Sequence, residues 1–204
     1  MQHKPRRAAL GASILFALAA PAAPTAFAQQ AAPASAAATT TAPPAAVSPE
    51  APAADPRDVA SPDAVVAALY DVISGPAGKP RDWNRLRSLF APQAKMLAVG
   101  NRPDGSMPAA VMTVDDYIGR VTKPFNDAGF YETELARTSE AFGPIVHVFS
   151  TYESRHAPAD AKPFQRGINS IQLTNDGRRW WIASLLWRAE TEKQPLPEKY
   201  LKKP

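Results

Sequence analysis

Arg166 to Trp187 reads "RGINSIQLTNDGRRWWIASLLW", two β-prone runs on either side of Asn175-Asp176-Gly177. An Asn-Asp-Gly cluster between such runs marks a tight hairpin turn. The second run, "WWIASLLW" from Trp180, barely alternates. A strand with one wet face alternates apolar and polar residues, so this one needs cover on both sides. By strand parity Trp180, Ile182, Ser184 and Leu186 share one face, and Trp181, Ala183, Leu185 and Trp187 share the other.

Working back from the hairpin, "IVHVFSTYESRH" (145–156) and "FYETELARTSEA" (130–141) read as two more strands, the latter with a strongly polar outer side. Gly129 marks the point where the period changes. Before it the spacing is helical. Ser61-Pro62-Asp63 is a helix start, with Val65, Val66, Leu69, Tyr70 and Ile73 on one face and Gly75-Pro76 as the stop. Asp82 opens a short second helix carrying Trp83, Leu86, Leu89 and Phe90, ended by Pro92. Met96 to Val99 is a short strand, "NRPDGSMP" a turn-rich loop, and Thr113 caps a third helix with Val114, Tyr117, Ile118 and Val121 on one side. Leu196, Tyr200 and Leu201 in the polar tail are available to lie on the body. Three helices followed by an antiparallel meander predict an α+β fold, with the helices packed on one face of a curved, mostly antiparallel sheet.

The N-terminus reads differently. Lys4, Arg6 and Arg7 precede the apolar run Ala8 to Ala20, and Ala26-Phe27-Ala28 fits a small-x-small cleavage site. This is the pattern of a signal peptide over 1–28; the apolar run is too short to span a bilayer, so no membrane span is expected after cleavage. Residues 29–60, dominated by Ala and Pro without an aromatic residue, cannot repay their ordering entropy and read as a disordered linker. The domain is expected over 61–204, exported to the periplasm of a bacterium or secreted. The chain carries 23 Lys and Arg against 19 Asp and Glu; without residues 1–28 it carries 20 against 19. That balance gives no basic surface for nucleic acid. With no cysteine and no closely spaced histidine pair, neither a disulfide nor a metal site is expected, and no cofactor.

Three stretches carry a resemblance to a known family: "DWNRLRSLFAPQAKML" (82–97) as a helix-to-strand passage, "VFSTYESR" (148–155) on a central strand, and the hairpin with its glycine turn followed by Trp-x-Ile. Together they make residues 61–190 resemble the nuclear transport factor 2-like superfamily, in its SnoaL-like branch. The resemblance implies a cone, with helices closing the concave face of the sheet over a pocket, and dimers formed through the outer face. Superfamily members include isomerases, cyclases, dehydratases, epoxide hydrolases and non-catalytic binders, so the fold leaves function open. The isomerase-like members place a carboxylate base just after the first strand, where "AKMLAVGN" (94–101) has none. Their later acidic donor corresponds to Asn169, and the His or Asp of cyclase-like members to Ser184 and Leu186.

These departures predict an exported domain that binds a small hydrophobic molecule without the usual acid–base catalysis. Tyr70, Tyr152, Asn169, Trp180 and Ser184 are its expected ligand-binding residues. The alternative is an isomerase, dehydratase or hydrolase using His147 as base; Glu153, on the same strand face, lies roughly 20 Å along the strand and forms no dyad with it. A third reading is a tethered homodimeric interaction module. Homodimerisation is expected to bury Trp181, Leu185 and Trp187 on the convex face, since an apolar strip of that size is rarely left in water. Expression in a bacterium with a secretory pathway should yield protein whose intact mass begins at Gln29; a product that retains residues 1–28 would refute the signal-peptide reading.

Overall fold

A computed structural model of the chain describes residues 51–100, 102 and 104–202. The expected signal peptide and residues 29–50 of the linker lie outside the described residues. The last linker residues are packed: Pro56–Val59 form a short 3-10 helix, Val59 is buried, and Asp58 accepts from Arg85 Nε at 2.7 Å. The body therefore starts before Ser61.

Each helix begins where the sequence supplies a cap. In α1 (Pro62–Ile73) Ser61 Oγ accepts the Ala64 N–H at 3.1 Å, and in α2 (Trp83–Leu89) Asp82 accepts the Arg85 N–H at 2.9 Å. In α3 (Val114–Ala128) Thr113 and Asp116 cap each other's backbone N–H reciprocally. Pro92, expected to end the second helix, lies instead in β1 (Phe90–Val99), and Ala109–Met112, unassigned in the sequence, form β2. The meander follows as β3 (Tyr131–Phe142), β4 (Ile145–Arg155), β5 (Gln165–Asn175) and β6 (Trp180–Ala189). The sheet order is β2-β1-β6-β5-β4-β3, antiparallel except for the β1–β6 pair. The architecture is thus the helix-on-sheet α+β fold expected.

The end of α1 is tied to the start of β3. Gly75 and Phe130 exchange backbone hydrogen bonds of 2.7 and 3.0 Å. The buried Arg81 guanidinium donates to the Ile73 carbonyl, which the helix terminus leaves open, and to the Gly75, Pro76 and Lys79 carbonyls of the loop that follows. No other residue type offers five donors in one fork.

The register of β6 overturns the parity reading. Leu173 pairs with Ile182, but Gln172 pairs with Ser184 and Ile171 with Leu185, leaving Ala183 as the extra residue of a β-bulge. A bulge flips every side chain beyond it. Ile182 and Leu185 are both buried under the helices, and Trp187 packs edge-on to Tyr117 of α3 at 6.0 Å. Ser184 and Leu186 move to the convex face, where Leu186 is 38% exposed. Of the convex trio, only Trp181 stays there, held by Asp176 at 2.9 Å and by Arg179 stacked over its ring. The dimer surface built on Leu185 and Trp187 is corrected accordingly: Leu185 is a core residue, and Trp187 is partly buried against the core on the concave side.

Part of the convex face is covered by the chain's own tail. The Leu196 N–H donates to Glu190 at 3.1 Å, Thr151 Oγ1 donates to the Tyr200 carbonyl at 2.6 Å, and the Tyr200 ring lies 5.1 Å from Phe149. A groove of about 320 Å³ remains between this strap and Ile168 and Leu186.

Gly167 on β5 is where the sheet has no room. A Cβ there would press on the Arg188 carbonyl and lie 2.6 Å from the Tyr152 hydroxyl. Gly167→Ala should destabilise the domain by about 2–3 kcal/mol in urea denaturation. Gly119→Ala, inside α3 with open space around the site, should stabilise it by about 0.5–1 kcal/mol. Equal effects would contradict the close approach at Gly167.

Candidate functional site

Between the helices and the concave face lies a cavity of about 190 Å³. Its walls are mostly apolar: Leu69 and Ile73 from α1, Tyr117, Val121 and Phe125 from α3, and Met96, Leu185 and Trp187 from the sheet. Phe125 and Phe130 stack at 4.0 Å, and the aromatic row continues through Phe164 to His156, stacked at 4.3 Å. The Ala183 bulge is what brings Leu185 and Trp187 to this wall.

The polar end is built by three strands. Glu132 reaches in from β3, Tyr152 from β4, and Asn169 and Gln165 from β5. The Glu132 backbone N–H donates to Ser74 Oγ at 3.0 Å, fixing the start of β3 against the end of α1. Its carboxylate accepts from Asn169 Nδ2 at 3.1 Å and from Ser154 Oγ at 2.9 Å. By surface area the residue is only half-buried, yet burial of the carboxyl pushes its pKa up to about 7, against the two hydrogen bonds that favour the charged form. Burial, with the Glu132 charge adding to it, likewise raises the Tyr117 and Tyr152 phenols, so both stay neutral donors. Neither hydroxyl has a hydrogen-bond partner among the described residues, although Tyr152 is 2% exposed. Unpaired hydroxyls on a cavity wall are groups for a ligand to satisfy.

The expected site residues divide accordingly. Tyr152 and Asn169 line the cavity. Tyr70 stands one step behind, its hydroxyl accepting from Asn169 Nδ2 at 3.1 Å. Trp180 packs against the core but not on the cavity wall. Ser184 is on the convex face, removed by the bulge. His147 is also convex, with Nε2 3.0 Å from Ser170 Oγ and its ring against Phe149; it has no access to the cavity and is corrected as a candidate base. Among the described residues no cluster of His, Cys, Asp and Glu is arranged to hold a metal ion.

Sequence reasoning missed Glu132, Tyr117 and Trp187. Glu132 was hidden because the polar residues of this strand read as its outer side. The alternation Glu132-x-Glu134 opposite the later Ser-and-Tyr alternation of β4 was the available signal.

No family model and no curated protein matches the chain. Solved structures resemble it at low identity. An NTF-2-like protein from Silicibacter pomeroyi is 16% identical, covering 64% of this chain and 94% of its own, with a TM-score of 0.44. A cystatin-like-fold protein from Nostoc punctiforme is 10% identical over 63% and 87%, with a TM-score of 0.47. A protein with a ketosteroid isomerase-like fold from Catenulispora acidiphila, solved with trimethylamine, is 18% identical over 63% and 85%, with a TM-score of 0.38. All three are under 25% identical with TM-scores below 0.5, and they assign this chain neither a family nor an activity.

The Glu132 carboxyl ties stability to pH. Its native pKa lies above the ordinary 4.5, so the native state holds the proton more tightly and stability falls as pH rises through that window to about 7. Glu132→Gln removes this loss. At pH 8 the variant should be more stable than the parent by about 1–3 kcal/mol, allowing for solvent contact. Near pH 4 that advantage should disappear; denaturant midpoints that stay parallel across pH would show that Glu132 titrates normally.

Proposed function

We propose that the cavity binds a small, mostly apolar molecule with one oxygen function, and that Glu132 exchanges a proton with it. The carrying observation is a carboxyl poised near neutral pH beside two unpartnered neutral phenols on otherwise apolar walls. A base or acid works best when its pKa lies near the working pH, and burial is the usual way to bring a carboxyl there. The volume limits the ligand. A dry cavity of about 150 Å³ takes one benzene ring, so about 190 Å³ suits a single ring with one or two substituents.

The chemistry that fits is proton transfer next to a carbonyl, as in an isomerisation. The Glu132 carboxylate takes the proton from the carbon, Tyr117 or Tyr152 donates to the developing enolate oxygen, and the Glu132 acid returns the proton at a second carbon. The expectation of a non-catalytic pocket rested on the missing carboxylate after the first strand, on Asn169 in place of an acidic donor, and on Ser184 and Leu186 in place of a His or Asp; β3 offers a carboxylate from elsewhere. An open cavity speaks against an interaction module whose pocket is filled by its own side chains. The signal-like N-terminus and the Ala/Pro spacer support a reading in which this activity lies outside the cytoplasm, with the domain on a tether.

Monocyclic ketones and enones incubated with the protein in deuterated buffer provide the test. Proton NMR should show deuterium entering next to the carbonyl, at a rate that rises with pH to a plateau above about 7. Glu132→Gln should lose at least about 100-fold in that rate while a thermal shift still reports binding. Binding without exchange by the parent protein would leave a binding pocket and no enzyme. If no compound of this size raised the melting temperature, the ligand class itself would be wrong.

A further inference from the structure

Outside the cavity, a second group of charged residues sits between α1 and β3. Arg137 Nε lies 2.9 Å from both carboxylate oxygens of Glu134, its Nη2 is 2.5 Å from Oε2, and Nη1 donates to Asp63 of α1 at 2.7 Å. Glu134 and Arg137 meet because of a second bulge. Glu134 pairs with Tyr152 and Ala136 with Thr151, so Leu135 is extra and Arg137 returns to the helix side with Ser150. Ser150 Oγ donates to Glu134 Oε1, the Tyr70 hydroxyl lies 2.6 Å from Ser150 Oγ, and Asn169 Nδ2 reaches both Tyr70 and Glu132 at 3.1 Å.

Each link in this series has one allowed direction. A carboxylate held by an arginine only accepts. Ser150 therefore spends its single proton on Glu134 and must accept from Tyr70. Tyr70, having spent its own proton, must accept from Asn169. The amide then faces Tyr70 with one N–H and Glu132 with the other. We propose that Glu134 and Arg137 are positioning residues, whose ion pair fixes the direction of this chain and so holds the N–H of Asn169, not its carbonyl, toward Glu132. The cavity's base is thereby kept ionisable by a charge pair that never touches the ligand. Tyr70 is also withdrawn as a donor, leaving Tyr117 and Tyr152 to read the ligand.

This deepens the function proposed above and rests on that reading for its purpose, but its test needs no ligand. The groups facing Glu132 are Tyr70 from α1, Tyr117 from α3, Tyr152 and Ser154 from β4, Asn169 from β5 and Glu134 along β3. Carbon-13 NMR of the glutamate side-chain carboxyls follows the Glu132 titration in the whole protein. In Glu134→Gln the new amide donates to Ser150, the chain is free to reverse, and Asn169 turns its carbonyl toward Glu132. The Glu132 midpoint should then rise by about one pH unit, a tenfold gain in proton affinity. Simple electrostatics predicts the opposite, because deleting the Glu134 charge leaves Arg137 unbalanced and lowers the midpoint. Ser150→Ala keeps the ion pair but cuts the chain, and should raise the midpoint as well. A fall or no change in Glu134→Gln, or an unmoved midpoint in Ser150→Ala, overturns the proposal. A rise in both, with no compound bound or exchanged, would uphold the positioning role and defeat the enzymatic one.

Discussion

A carboxyl drawn away from bulk water costs free energy unless neighbouring donors offset it, and the polar half of this domain is arranged around that cost at Glu132. Ser154 and Asn169 supply the offsetting donors. Asn169 is aligned by Tyr70, Tyr70 by Ser150, and Ser150 by Glu134, which Arg137 holds. The same side chains join α1 to the sheet, since Tyr70 belongs to the helix and Arg137 bonds Asp63 at its first turn. Site geometry and helix docking are therefore one set of interactions. Such a network is strong when complete and costly when any member is left unpaired.

Two extra residues decide what faces the cavity. Leu135 in β3 allows Glu132, Glu134 and Arg137 to share the helix side, although simple alternation would send Arg137 outward. Ala183 in β6 does the same for Ile182, Leu185 and Trp187. Bulges of this kind gather at functional sites because they re-aim side chains without breaking the sheet. They also explain why "WWIASLLW" does not alternate: the run is two half-strands of opposite phase whose large apolar residues mostly turn inward.

The remaining apolar demand of the sheet is met unevenly. The concave face is covered by α1, α2 and α3 except where the cavity opens, and the aromatic side chains there leave room for a single ring. The convex face is covered in part by residues 194–201, anchored through Glu190 and Thr151. Trp181 has its own polar cover in Asp176 and Arg179.

The helix caps at Ser61, Asp82 and Thr113, the hairpin at Asn175-Asp176-Gly177 and the order of helices before meander were legible in the sequence, because each depends on a few adjacent residues. The α+β class and the inward placement of Tyr152 and Asn169 followed from the same local patterns and from the resemblance. The base of the cavity did not. Glu132 sits in a strand whose polar residues read as solvent-facing, and only its pairing with Ser154 of β4 shows otherwise. Strand phase beyond Ala183, the displacement of His147 and Ser184 from the cavity, and the direction of the hydrogen bonds reaching Glu132 were likewise settled by tertiary structure. A side chain's face depends on register with a neighbouring strand, and a carboxyl's proton affinity on groups that fold in from distant parts of the chain; neither is written in any one stretch of sequence.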